Sequence, residues 1–344
     1  MKTRAMALGA VMVDLAGPTL SEAERERLLH PQVAGVVLFT RNFESWQQLA
    51  DLCEQIHRLR QPRLLIAVDH EGGRVQRFRQ DGFTPLPPMA RLGKLHDLNP
   101  MAADEAARAL GWLMAAELLA VGVDFSFAPV VDLNHGRSQV IGERSFHGQA
   151  QTVAQLAGQW LAGMHEAGMA GVAKHFPGHG FAQADSHTDV AVDERDWEAL
   201  QADLLPFQAL IAQRVEGIMP AHVIYPAVDT RPAGFSPHWL QTILRQQMGF
   251  DGAIISDDLN MAAAKAVGNI VKRAELALAA GCDLLLALND VAGADRLLYG
   301  LDYPIRPLSQ ARRIALHGRA RFNVKNLRRQ RQYALAQHYM EQLI

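Results

Sequence analysis

Cysteine is scarce: Cys53 and Cys282 are the only two in 344 residues, and each sits in an apolar stretch, which excludes a disulfide framework. A reducing, cytoplasmic setting is the simplest expectation. No segment reaches the ~18 consecutive apolar residues of a membrane span, so membrane insertion is not expected. Neither sign of charge dominates, since 34 Lys and Arg stand against 36 Asp and Glu for a formal -2. Without a global field, nucleic acid is not an expected partner, and a small ligand is. Solenoid repeats and low-complexity tracts are missing too. At 49% hydrophobic and 20% charged, the composition excludes disorder and provides for a large core. Lys2 and Arg4 precede the apolar run Ala5 to Val13, in the manner of a short signal peptide. That run meets Asp14 and Gly17-Pro18 without a small-x-small site, and reads as a buried first strand.

The dominant pattern is alternation. Eight short apolar runs recur: Ala7 to Leu15, Ala34 to Phe39, Leu64 to Asp69, Val123 to Asp132, Gly171 to Phe176, Gly217 to His222, Gly252 to Asp257 and Asp283 to Leu288. Between them lie segments with helical spacing: Ser21 to His30, Ser45 to Arg60, Met101 to Val121, Gln151 to Ala167, Glu194 to Gln213, Pro237 to Met248, Val271 to Ala280 and Gly293 to Tyr299. Runs such as Leu64-Leu65-Ile66-Ala67-Val68 are uniformly apolar, as parallel strands covered on both faces require. Gly122, Gly168 and Gly281 stand where helix C-termini need a left-handed residue. The fold expected is α/β, a single (β/α)8 TIM-type barrel with a C-terminal helical extension, and a doubly wound open sheet is the alternative. One catalytic domain is expected over 1–344, with its barrel core over about 5–300 and a basic helical tail over about 304–344. From Tyr303 to Met340 there is no Asp or Glu, and nine Lys and Arg read as the solvated faces of terminal helices.

Active sites of such barrels form at the C-terminal ends of the strands. Ionisable residues gather there: Asp69-His70-Glu71, Asp132, Lys174-His175, His222 and Asp257-Asp258. Each would cost solvation unless all faced one polar cavity. A strand ending in Lys174-His175 can hold two donors toward a ligand. In the glycine-rich segment that follows, Asp185 and His187 are two apart, so the carboxylate can orient the imidazole if the backbone turns between them. Alternation along a strand sends one of Asp257 and Asp258 into the cavity and leaves the other to cap the next segment.

Val68-Asp69-His70-Glu71-Gly72-Gly73-Arg74-Val75-Gln76-Arg77-Phe78, Gly142-Glu143-Arg144-Ser145-Phe146, Lys174 to Gly180 with Asp185-Ser186-His187, Met219-Pro220-Ala221-His222-Val223 and Ser256-Asp257-Asp258-Leu259 occur in this order. With this set the chain resembles the bacterial β-N-acetylglucosaminidases of glycoside hydrolase family 3, the NagZ type that serves cell-wall recycling. The resemblance implies a retaining hydrolysis in one barrel domain, without the further domain that many members carry. It implies Asp257 as nucleophile, His187 as proton donor and acceptor, and Asp185 as the dyad partner of His187. Asp69, Arg77, Arg144, Lys174 and His175 match residues that hold the terminal N-acetylglucosamine. The implied substrate is a small saccharide, an N-acetylglucosaminyl-anhydromuramyl peptide, with no cofactor or metal. His70 departs from the glutamine usual after the aspartate, and a change behind the site is expected. Two other chemistries remain open: a barrel metallohydrolase built on His175, His179, Asp185, His187, His222 and Asp257, and a sugar-binding protein without turnover.

Overall fold

In the computed structural model, which describes residues 4–183, 191–304, 306–319 and 323–343, every one of the eight apolar runs contributes a strand to one parallel sheet. The strands are β1 (Val11–Asp14), β2 (Val33–Leu38), β3 (Leu65–Val68), β4 (Phe125–Ser126), β5 (Val172–Phe176), β6 (Gly217–Pro220), β7 (Ala253–Asp258) and β8 (Leu284–Leu286). Their order around the sheet is β4-β3-β2-β1-β8-β7-β6-β5. Parallel bridges Phe125 to Ala170 and Val130 to Lys174 join β4 to β5, and the Val131 N–H donates to the Lys174 carbonyl at 2.8 Å. This closes the ring as a TIM-type barrel and removes the open-sheet alternative. The apolar run at the N-terminus is a barrel strand, buried at every position of β1.

Helices fill the crossovers: α1 (Glu22–Leu28), α2 (Trp46–His57), α3 (Pro100–Ala120), α4 (Ala150–Ala167), α5 (Trp197–Ala212), α6 (His238–Gln247, wound with π-type turns), α7 (Ile270–Ala280) and α8 (Val291–Gly300). Ser21 and Ser45 close capping boxes on α1 and α2. Gly168 ends α4 with a φ of 99°, the left-handed cap that its position called for. Among the described residues no helix is long and apolar enough to cross a membrane.

Behind the barrel come α9 (Pro307–Ala315) and α10 (Arg331–Leu343). The expectation of solvated basic faces fails at Arg313. Its side chain is buried and donates to the Asp283 carbonyl at 2.8 Å, underneath the start of β8. Three features escaped the periodicity: a helix over Ala90–Leu98, a hairpin pairing His70–Gly72 with Val75–Gln76, and a small sheet of Ala191–Val192, Val223–Tyr225 and Asp229–Pro232. The hairpin lies directly after β3 and carries part of the candidate site.

Candidate active site

At the C-terminal ends of the strands lies a cavity of about 900 Å³. One wall is an array of opposite charges. Lys174, in the middle of β5 and buried, places Nζ 2.8 Å from Asp69 Oδ1 and 2.6 Å from Glu71 Oε1. Arg144 donates Nε and Nη2 to the two oxygens of Glu71 at 2.7 and 2.8 Å, a bidentate pair. Arg77 Nη2 reaches Asp69 Oδ2 at 3.3 Å. Burial alone would raise the Glu71 carboxyl, but the charges of Arg144 and Lys174 reverse this and hold it at about 2. Asp69 is likewise held well below the usual carboxylate range, against its burial, by Lys174 and Arg77. Burial would lower the Lys174 ammonium, yet Asp69 and Glu71 keep it above its ordinary value. Asp69, Glu71 and Lys174 are therefore charged at neutral pH, and with the two guanidinium groups they form a fixed set of donors and acceptors for hydroxyl and amide groups.

His175 stands beside Lys174 across a cis peptide. Its Nδ1 lies 2.7 Å from Asp132 Oδ2, and the backbone N–H groups of His175 and His179 donate to Asp132 Oδ1 at 3.1 and 2.7 Å. Burial pushes the Asp132 carboxyl up, and His175 together with the neighbouring N–H donors brings it down to about 2. A carboxylate so held fixes the ring orientation of His175 toward the cavity it lines.

Asp257 and Asp258 end β7, and both line the cavity. The expectation that only one would do so is corrected by a register shift against β8 between Ile255 and Asp258, which breaks the alternation. The Asp258 N–H donates to Asp257 Oδ1 at 2.8 Å. Asp258 Oδ1 accepts from the Asn260 N–H at 3.0 Å, so the capping role falls to Asp258 as expected, even though it also meets the cavity. His222 lies beside Asp257, stacked on Phe235 at 5.1 Å. Burial lowers its imidazole pKa, and the Asp257 charge pulls the other way.

Of the residues singled out by sequence, Asp69, Arg77, Arg144, Lys174, His175 and Asp257 thus meet around one cavity. Asp185 and His187 lie outside the described residues. Glu71 and Asp132, counted among the strand-end ionisable residues but given no binding or catalytic role, hold the array together. Glu71 stands two positions after Asp69, and strand alternation gives such a pair the same side. His70 does not share that side: its ring is buried against Phe78 and Phe83, with centroids at 5.8 and 5.9 Å. Burial, then the charges of Arg79 and Arg77, hold it neutral, with its pKa lowered to about 3. Among the described residues no group of three or more His, Cys, Asp or Glu is placed to hold a metal ion.

The sequence pattern of the glycosyl hydrolase family 3 N terminal domain matches residues 3–308. The chain belongs to this glycoside hydrolase family. A β-hexosaminidase of Hydrogenovibrio crunogenus is 55% identical over 325 residues, 94% of this chain and 91% of the relative, and one of Thioalkalivibrio sulfidiphilus is 55% identical over 314 residues, 91% and 90% of the two chains. Among solved structures, NagZ from Neisseria gonorrhoeae in complex with N-trifluoroacetyl-D-glucosamine superposes with a TM-score of 0.94 at 43% identity, covering 99% of both chains. This family 3 member is a glycoside hydrolase of the β-N-acetylhexosaminidase class.

Proposed function

We propose that this enzyme removes non-reducing terminal β-linked N-acetylglucosamine with retention of configuration, by double displacement on Asp257. In the first step an Asp257 oxygen bonds to the anomeric carbon as the bond to the leaving oxygen breaks. Protonated His187 gives its proton to that oxygen, and Asp185 stabilises the imidazolium. In the second step neutral His187 takes a proton from water, whose oxygen displaces the aspartate. Asp69, Arg77, Arg144, Lys174 and His175 hold the sugar. The observation that carries this reading is the composition of one cavity, with a strand-end carboxylate, Asp257, on one side and the Asp69–Lys174–Glu71–Arg144 array among its other walls. Gln183, two residues before Asp185, lines the same cavity. That a relative is described with N-trifluoroacetyl-D-glucosamine supports an N-acylated glucosamine as the sugar.

The natural substrate in this reading is an N-acetylglucosaminyl-anhydromuramyl peptide, turned over in the cytoplasm during cell-wall recycling, with residues 1–344 working as one catalytic domain. Arg74 and Arg137 also line the cavity. Arg137 lies over the Phe181 ring at 4.2 Å and has no carboxylate partner among the described residues, which suits a leaving group that carries carboxylates. Trapping with a 5-fluoro-N-acetylglucosaminyl fluoride, followed by peptide mass mapping, should place the label on Asp257. A label elsewhere, or none, would overturn the mechanism. A kcat/KM for the muropeptide no greater than that for an uncharged chitobioside would overturn the proposed leaving group.

A further inference from the structure

The cavity wall opposite in sequence to the charged array is made by the end of β8: Leu286, Leu288 and Asn289 all line it. Leu286 is held in the strand ladder, but Leu288 and Asn289 lie beyond the end of β8, and Asn289 sits at a φ of 58°. What holds Leu288 and Asn289 comes from other strand ends and the turns that follow them. Asp258 Oδ1 accepts the Leu288 N–H at 3.2 Å, and Asn260 Nδ2 donates to the Leu288 carbonyl at 2.8 Å, so the turn after β7 grips both backbone groups of Leu288. The same Asp258 oxygen accepts the Asn260 N–H at 3.0 Å, which shapes the turn that does the gripping. The Leu259 carbonyl between them accepts from the buried Arg273. One residue further on, the Asn289 N–H donates to Asp14 Oδ2 at 3.1 Å and its Oδ1 accepts from Arg41 Nη1 at 3.0 Å, while Arg41 also pairs with Asp14.

We propose that Asp258 is a positioning residue: with Asn260 it fastens the Leu288–Asn289 wall of the sugar cavity to the strand that carries Asp257. Its work is done by one acceptor oxygen on two backbone N–H groups, and no step of the reaction passes through it. The wall has to fit the bound sugar, so loosening it acts first on binding. The neutral amide is the conservative replacement. Burial, opposed by the Asn260 and Leu288 N–H groups and reinforced by the carboxylates of Asp257 and Asp14, pushes the Asp258 carboxyl up to about 7, and asparagine keeps the acceptor oxygen.

This inference rests on Asp257 being the nucleophile, and the test separates the two. Asp258→Ala, Asp258→Asn and Asn260→Ala are compared by steady-state kinetics on an aryl β-N-acetylglucosaminide, by the inhibition constant of N-acetylglucosamine, and by fluoroglycoside trapping. Asp258→Ala should raise KM and the inhibition constant about tenfold or more with a smaller fall in kcat, Asp258→Asn should restore both to within about threefold, and Asn260→Ala should shift them in the same direction as Asp258→Ala. The trapped label should stay on Asp257 throughout. Unchanged KM in Asp258→Ala, or an Asp258→Asn as impaired as the alanine, overturns the positioning role. Should the alanine variant not fold, the asparagine and Asn260→Ala variants decide it alone, since normal binding in Asn260→Ala overturns the clamp. A label on Asp258 would instead overturn the nucleophile assignment.

Discussion

A histidine that donates a proton to a departing oxygen matters only as far as that oxygen needs one. His187→Ala and Asp185→Ala should therefore lower kcat/KM by about 10²–10⁴-fold on an unactivated disaccharide and far less on a 2,4-dinitrophenyl glycoside; equal losses on both substrates would remove His187 from that role. Asp257→Ala should abolish turnover of either. The charged array makes a different demand. Glu71 is buried between two cations, and replacing it by glutamine leaves Lys174 and Arg144 short of countercharge. A cost of about 3–5 kcal/mol is expected in urea unfolding, together with a raised KM. His70 should behave in the opposite way, since it packs on phenylalanines behind the cavity. Its folded pKa lies below the unfolded value, so its neutral form stabilises the protein above pH 6.5 and this contribution is lost as pH falls toward about 3. His70→Gln should keep kcat/KM within about threefold and flatten that acid decline, which has a slope of at most about 1.4 kcal/mol per pH unit. An unchanged pH–stability profile would contradict the buried neutral ring.

The crossing of α3 on α4 depends on two glycines. A Cβ at Gly163 would stand 2.0 Å from the Arg108 carbonyl oxygen and one at Gly111 2.3 Å from the Trp160 carbonyl oxygen. Each helix thus lays its backbone against the other, and Gly163→Ala should cost about 2 kcal/mol or more by forcing them apart, with kcat unchanged in the molecules that remain folded. An unaltered unfolding midpoint would sink this account of the crossing. Such contacts mark the limit of what periodicity reveals. Strands β1 to β3 and the glycine end of α4 were legible because local burial and local turn chemistry fix them. The helix over Ala90–Leu98 was not, since it follows Pro87-Pro88 and has only Leu92 and Gly93 buried among its nine residues. In the site, Asp69, Lys174 and Asp257 could be found from their places at strand ends. Glu71 and Asp132 stood in the same strand-end set, but their roles could not be read there, because the partners that define them, Arg144 and His175, lie 73 and 43 residues away in sequence. The shared exposure of Asp257 and Asp258 was hidden for a related reason: it accompanies a shift in the pairing of β7 with β8, which only the two strands together display.

The C-terminal helices bear on the barrel as a whole. From α10 and the short helix Val324–Leu327 before it, Leu327, Ala336, Tyr339, Met340 and Leu343 are buried in the same apolar core as the strands and crossover helices. The Tyr339 hydroxyl donates to Glu105 of α3 at 2.6 Å, and Gln337 Nε2 reaches Thr84 Oγ1 at 3.4 Å. Thr84 in turn donates its N–H and hydroxyl to Glu117 at 2.9 and 2.7 Å, while its carbonyl accepts from Gln76, the neighbour of Arg77. A chain of contacts therefore runs from α10 to the hairpin that presents Arg77 to the cavity. Burial raises the Glu117 carboxyl to about 7 in spite of the Thr84 donors, so the folded protein holds a proton that the unfolded chain releases, and stability should fall as pH climbs from about 4.5 to 7. Glu117→Gln should remove that decline. Deleting residues 323–344 removes five buried side chains from the core and should cost several kcal/mol, at roughly 1.5–3 kcal/mol for each large apolar one. If the segment and the barrel unfold together, calorimetry of the full chain shows one transition, and truncation moves it to lower temperature while raising KM through the loosened hairpin. A truncated barrel that melts at the full-length temperature with its KM intact would show that α10 is only an appendage, and would break the proposed unity of the catalytic domain.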